Sequence, residues 1–217
     1  MTTDFKYLQF QIFDIRNFTD RSDSEDMALN IAGKVHKGEF DFVVIKLPES
    51  HCGGDKGMVL NDNCKMILKV LKLTGCPVLS ITKWPVSTIF RNILQPVDLS
   101  INPVERYEQI LPIIKVFNPN IHLLMVNNTA DHEVNESCRE LLDISSEYFL
   151  RFNIHVKSKI INHLNKLNTI LAYASIIEAD LIGNGTGFGD YGGADPVDLT
   201  WNDLIYRSDI PLFNYFG

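Results

Sequence analysis

Ile170-Leu171-Ala172-Tyr173-Ala174-Ser175-Ile176-Ile177-Glu178-Ala179-Asp180-Leu181-Ile182 is the stretch that decides the fold of this chain. Leu167, Ile170, Leu171, Ala174 and Ile177 recur at helical spacing, and the apolar residues after Asp180 read as a buried strand. A helix that runs straight into such a strand is half of a crossover unit in a parallel sheet. The unit has an earlier echo. Met27-Ala28-Leu29, Ile31-Ala32 and Asp41-Phe42-Val43-Val44 repeat it, and Gly75-Cys76-Pro77-Val78-Leu79 returns as Asp209-Ile210-Pro211-Leu212-Phe213. The echoes lie one small domain apart, far more than the length of a solenoid unit. The chain therefore reads as two related domains, residues 1–84 and 85–217, with Lys83-Trp84-Pro85 at the boundary.

Outward from that stretch, the second domain has room for a whole copy. Strands are expected over 90–97, 120–126, 154–161, 179–184 and 210–215, and helices over 103–117, 133–151 and 164–178. A short last helix follows a glycine-rich loop, with Trp201, Leu204 and Ile205 inward. Pro103 suits a first turn, while Pro112 falls inside the first of these helices and is expected to kink it or end it early. The first domain starts late. Its alternating Leu8-Gln9-Phe10-Gln11-Ile12-Phe13 matches Ile154 to Ile160, which makes it a third strand rather than a first. A helix opens at the capping box Ser22-x-x-Glu25 and closes at Gly38, and strands over 41–47 and 77–82 flank a helix over 62–73.

Composition narrows the function classes. The 217 residues are 45% apolar with a mean hydropathy of -0.01, and no apolar run approaches the ~18 residues of a membrane helix. The start, Met1-Thr2-Thr3-Asp4-Phe5-Lys6, lacks the layout of a secretion signal, so a cytoplasmic protein without a membrane partner is expected. Cys52, Cys64, Cys76 and Cys138 are scattered, which argues against a disulfide framework or a zinc site. Net charge is -7, and it is unevenly placed. Residues 1–84 hold 11 Lys or Arg against 11 Asp or Glu, whereas 85–217 hold 9 against 16. An acidic second domain repels a phosphate backbone, so no nucleic-acid partner is expected.

Five segments then fall in a known order. Asn92-Ile93-Leu94-Gln95-Pro96-Val97-Asp98-Leu99-Ser100 is an opening strand and turn, and Ile121-His122-Leu123-Leu124-Met125-Val126 is a second strand. Ala172 to Thr186 carries Ala179-Asp180-Leu181-Ile182 and Gly185-Thr186, and Cys76-Pro77-Val78-Leu79 is a closing strand found in both copies. In these segments the chain resembles the universal stress protein family in a tandem form, over all of 87–217 and more weakly over 8–82. The resemblance implies an α/β protein with an open parallel five-stranded sheet, order 3-2-1-4-5, and helices on both faces, the adenine-nucleotide alpha-hydrolase-like fold, here preceded by a partial second copy. It implies a ligand crevice at the carboxyl ends of the first and fourth strands. On this chain that crevice would be built from Pro96, Val97, Asp98 and Val126, with Gly185, Thr186, Gly187, Gly189 and Gly192 after the fourth strand. Asp98 takes the place of the family's adenosine contact. A homodimer through the closing strands is also implied.

The glycine loop departs from the family's ATP pattern, G-x2-G-x9-G-[S/T]. Residues 183–193 carry six of the 13 glycines, but after Gly189-x2-Gly192 the third glycine position is Asn202. Starting from Gly185 instead puts Phe188 and Asp198-Leu199 where Gly and Gly-Ser belong. From Gly183 to Asp203 stand Asp190, Asp195, Asp198 and Asp203 with no Lys or Arg, a loop that repels a triphosphate unless a divalent cation accompanies it. Three uses of the loop stay open: phosphate binding, cation binding through Asp190 and Asp195, or a tight surface turn. The literal dinucleotide fingerprint Gly187-x-Gly189-x-x-Gly192 fails for want of a further strand with an acidic end. In the first copy Gly53-Gly54-Asp55-Lys56-Gly57 holds a G-x2-G, with Ile67 at the third position. No catalytic residue and no metal site is expected. His122 and His155 sit in strand patterns, and His51 beside Cys52 lacks a third partner.

The expectation is therefore a non-enzymatic stress-response protein with a degenerate nucleotide site, acting through dimerisation or small-ligand sensing, with ATP as the candidate cofactor. The alternative is an ATP- and magnesium-binding regulator or slow ATPase that uses the 183–193 loop. A physical difficulty accompanies the first domain. Without its first two strands, the order 3-2-1-4-5 leaves a gap of about 14 Å beside the fourth, at ~4.8 Å per strand. The front is a shortened product, or pairs differently, or is completed by a second chain, with attachment along the closing strands 77–82 and 210–215 favoured.

Overall fold

The computed structural model describes residues 10–14, 24–35, 40–47, 56–83, 89–99, 104–127, 132–186, 204–205 and 207–216. In chain order the front half comprises β1 (Phe10–Asp14), α1 (Ser24–Lys34), β2 (Phe42–Lys46), α2 (Lys56–Thr74) and β3 (Val78–Ile81). The back half comprises β4 (Asn92–Val97), α3 (Val104–Phe117), β5 (Asn120–Asn127), α4 (His132–Leu150), β6 (Val156–Asn162), α5 (Lys166–Ile176), β7 (Leu181–Thr186) and β8 (Leu212–Phe216). Before β8, Leu204 and Ile205 are helical and buried, while Trp201 lies outside the described residues.

Local chemistry explains the element ends. α2 stops at Gly75, whose φ of 62° is open to glycine and whose N–H donates to the Leu71 carbonyl at 2.8 Å. α3 stops at Asn118, φ 45°, just before Pro119. Pro112 does not end α3, which continues to Phe117. Leu111, Ile113 and Ile114 around it are buried, so packing holds the turn that lacks a backbone N–H. α2 begins at Lys56, six residues ahead of the expected start, and takes in Lys56 and Gly57 of the expected glycine loop.

All eight strands form one sheet in the order β1-β2-β3-β8-β7-β4-β5-β6. The back five, β6-β5-β4-β7-β8, run parallel in the expected 3-2-1-4-5 arrangement. The sheet as a whole is larger than five strands and mixed, because β3 pairs with β8 antiparallel, Leu79 opposite Phe213. The closing strands, expected to join two copies, instead meet each other within one chain. β3 lies between β2 and β8, and β8 between β3 and β7, so neither keeps a free edge for a second copy.

No gap stands in the front half. β1 pairs directly with β2, Phe13 opposite Ile45. By chain order β1 precedes the crossover helix, as a third strand does. By position it sits beside β2, where β4 sits beside β7 in the back half. The front half thus pairs differently from the order 3-2-1-4-5.

A core covers each face. One contains Ala28, Ile31, Met66, Ile67, Val43, Leu94, Leu124, Ile170, Ala174 and Leu212, and so lies under α1, α2 and α5. The other contains Phe42, Leu79, Ile93, Tyr107, Ile110, Leu123, Phe149, Phe213 and Tyr215 under α3 and α4. Both take residues from both halves. Phe42 and Phe213 meet edge to face across the junction, with ring centroids 5.7 Å apart.

Candidate functional site

β4 is the strand where the connections reverse. The chain leaves it through α3 toward β5, while β7, reached through α5 on the opposite face, pairs on its other side. The carboxyl ends of β4 and β7 therefore diverge above the sheet, the usual crevice of an open α/β fold.

Asp98 follows the last residue of β4. Leu94, Pro96 and Asp98 share the α5 face by strand alternation, and the Asp98 carboxylate forms an ion pair with the Lys166 ammonium through Oδ2. Lys166 is the first residue of α5. The helix is capped just before it, where the Asn165 side chain accepts from the Asn168 N–H at 2.9 Å. A cation at this end faces the positive pole of the helix, an unfavourable place unless an anion is close. Asp98 supplies it. Both side chains keep about a third of their surface in solvent, 34% and 35%, so the pair sits at the mouth of the crevice rather than in the core. The Asp98 charge also reaches the other face: burial first, and then this carboxylate, push the Cys138 thiol up.

Beneath the mouth, two buried polar arrays cross the strands. On the α3 side the Gln95 amide lies over Gly183 of β7, and the Tyr215 hydroxyl donates to Gln95 Oε1 at 2.8 Å. A Cβ on Gly183 would stand 2.1 Å from that same Oε1. Gly183 is thus the space that Gln95 occupies. On the α5 side Asn184 Nδ2 donates to Asn214 Oδ1 at 3.2 Å, and Asn214 Nδ2 donates to Ser80 Oγ at 2.9 Å and to the Val78 carbonyl at 3.0 Å. The array runs from β7 through β8 to β3, so it ties the crevice strand to the front half. Asp180 anchors the other end of β7, its Oδ2 accepting from the N–H groups of Arg91 and Asn92 at 2.8 and 3.0 Å.

The sequence-expected residues divide. Pro96, Asp98 and Val126 lie on the α5 side near the carboxyl ends of β4 and β5, and Gly185 and Thr186 end β7. Val97 points instead into the α3 core and is buried there. Gly187, Gly189 and Gly192 lie outside the described residues, as do Asp190, Asp195, Asp198 and Asp203. Lys166, Gln95 and Asn184 belong to the same region and were not anticipated. A lysine at a helix's first position was the available signal for Lys166, since it needs an anion nearby. Among the described residues no group of three or more His, Cys, Asp or Glu is placed to hold a metal ion, and no helix is long and apolar enough to cross a membrane. His122 is buried on β5 near Tyr173, with ring centroids 6.4 Å apart, and its imidazole is pulled down by burial and then by Lys157 and His155.

No protein-family model matches the sequence, and no curated protein matches it. Solved structures do. A universal stress protein from Archaeoglobus fulgidus DSM 4304 superimposes with a TM-score of 0.53 at 14% identity, covering 96% of each chain. A protein from Pseudomonas aeruginosa UCBPP-PA14 described as a universal stress protein gives 0.54 at 17% identity, over 91% of this chain and 69% of that one. A functionally unknown protein from Pseudomonas aeruginosa PAO1 gives 0.55 at 16%, over 92% and 69%. Strand order and these superpositions agree: the chain has the universal stress protein fold, extended over both halves of one continuous sheet.

Proposed function

We propose that this chain is a non-enzymatic stress-response module of the universal stress protein type, whose crevice keeps the nucleoside end of a nucleotide site and has lost the polyphosphate end. The observation that carries this reading is the place of Asp98, a carboxylate held at the carboxyl end of β4 where the sheet's connections reverse. A carboxylate there accepts hydrogen bonds from a sugar's hydroxyls. The loss at the other end rests on charge: residues 183–203 hold four Asp and no Lys or Arg, so a bare triphosphate is repelled.

Assembly follows the same logic. The resemblance implied a homodimer through closing strands, and here β3 and β8 pair with each other inside one chain. A second copy would attach along an outer strand, β1 or β6, instead. Titration of the purified protein with adenosine, and separately with ATP and Mg2+, followed by amide chemical shifts, tests the site. Shifts at Asp98 and Val126 with adenosine, and no tighter binding of Mg-ATP, are expected. Tight Mg-ATP binding with phosphate release would instead establish the second reading, a regulator or slow ATPase whose acidic loop carries the cation.

A further inference from the structure

We infer that the Lys166 ammonium is the specificity element of the β4 crevice: it pairs with Asp98, and it turns to an anionic group when a phosphorylated ribose, such as a nucleoside monophosphate, takes the carboxylate. This rests on Asp98 being the sugar contact proposed above.

Three observations meet here. Lys166 and Asp98 form an ion pair although they lie 68 residues apart in sequence, so the fold, and not chain proximity, brings them together. The pair is partly exposed, at 34% and 35%, which leaves it open to exchange with a ligand at modest cost. The helix end that carries Lys166 is itself electropositive, so an ammonium released from Asp98 cannot be satisfied by the helix and draws an anion to itself.

The ligand chemistry follows by matching donors to acceptors. A ribose diol replaces the ammonium as donor to the Asp98 carboxylate, and a phosphate one bond beyond the ribose accepts from the freed ammonium. A nucleoside without phosphate satisfies Asp98 but strands Lys166. A triphosphate carries further negative charge that a single ammonium does not balance. The monophosphate satisfies both ends. The positive charge that the glycine loop lacks is therefore supplied from α5.

Calorimetric titration of the full chain with adenosine and with AMP, on the native protein, Lys166→Gln and Lys166→Arg, tests this. The native protein is expected to prefer AMP over adenosine by roughly tenfold, the scale of one charge-assisted hydrogen bond. Lys166→Gln should bind adenosine two- to fivefold tighter, roughly the worth of a part-exposed ion pair, while the AMP preference falls to near unity. Lys166→Arg, which keeps the charge, should keep the preference and stands in if the glutamine variant folds poorly. Adenosine and AMP binding the native protein and Lys166→Gln with an unchanged ratio would overturn the role of Lys166 while leaving the Asp98 site intact. Failure of native protein and both variants to bind either ligand at 10 mM would overturn the site itself and the inference with it.

Discussion

In the back half the chain leaves β6, passes α5 over β5 and β4, and enters β7; in the front half it leaves β1 and enters β2 next door through α1. The two crossover helices are each 11 residues long. A helix of one length thus serves a long and a short crossover, and the front half closes its sheet by letting a strand of third-strand type stand where an opening strand would. What decides a strand's neighbour is the unpaired edge it finds. β2 would carry a row of unsatisfied N–H and C=O groups if β1 kept its distance, and pairing removes that cost.

The halves also differ on the strand that follows each crossover helix. β7 reads Gly183-Asn184-Gly185 at the level where β2 reads Val44-Ile45-Lys46. Glycine and asparagine admit the Gln95 amide and a polar array into the sheet, whereas Val44 and Ile45 fill both faces of β2 with hydrocarbon. The back strand is built to hold polar groups close to its backbone. The front strand is built to hold the core.

The strongest way to break this contrast is at the junction. Phe213→Ala removes a fully buried ring that touches Phe42 and is expected to cost about 3–5 kcal/mol. Urea unfolding followed by far-UV circular dichroism should still show one transition, because each core draws on both halves. Two separated transitions would mean that the halves stand independently.

Asn214→Ala sharpens the same point. It leaves Ser80, Asn184 and the Val78 carbonyl without their amide partner in a dry setting, at about 2–3 kcal/mol. Pairing it with Ser80→Ala should cost less than the two changes separately, and strict additivity would show that the array does not act as a unit. Within the back half alone, Gly183→Ala is expected to cost about 2 kcal/mol, since the new methyl displaces Gln95 from Tyr215. Adding Gln95→Ala should recover part of that loss, and no recovery would mean that the glycine serves something other than space.

The smallest effect is one of pH. His122 has its folded value lowered by burial, then by Lys157 and His155, so the folded chain takes up its proton less readily than the unfolded one. The stability tied to the neutral imidazole is complete above about 6.5, the unfolded value, and is lost as pH falls through that value toward the folded one. The urea midpoint should drop over this window in the native protein and drop less in His122→Gln. Equal slopes in the two proteins would remove His122 from the account.

Much of this was legible in the chain. Asn120–Asn127 and Leu181–Thr186 emerge within two residues of their expected bounds because strands and helices are written in short-range periodicity. The place of Asp98 was legible too, since the residue after an opening strand must lie at the crevice mouth. The early start of α2 was not: Lys56-Gly57 looks like loop chemistry, and the tertiary environment overrode it.

By itself the sequence determined most of the elements, their order and the acidic glycine loop, all of which depend on residues near one another along the chain. The tertiary structure alone decided that β1 adjoins β2, that β3 and β8 run antiparallel side by side, and that Lys166 closes on Asp98. Those are contacts between distant residues, chosen by which edges and charges remain unsatisfied once the helices have packed, and no local pattern encodes that choice.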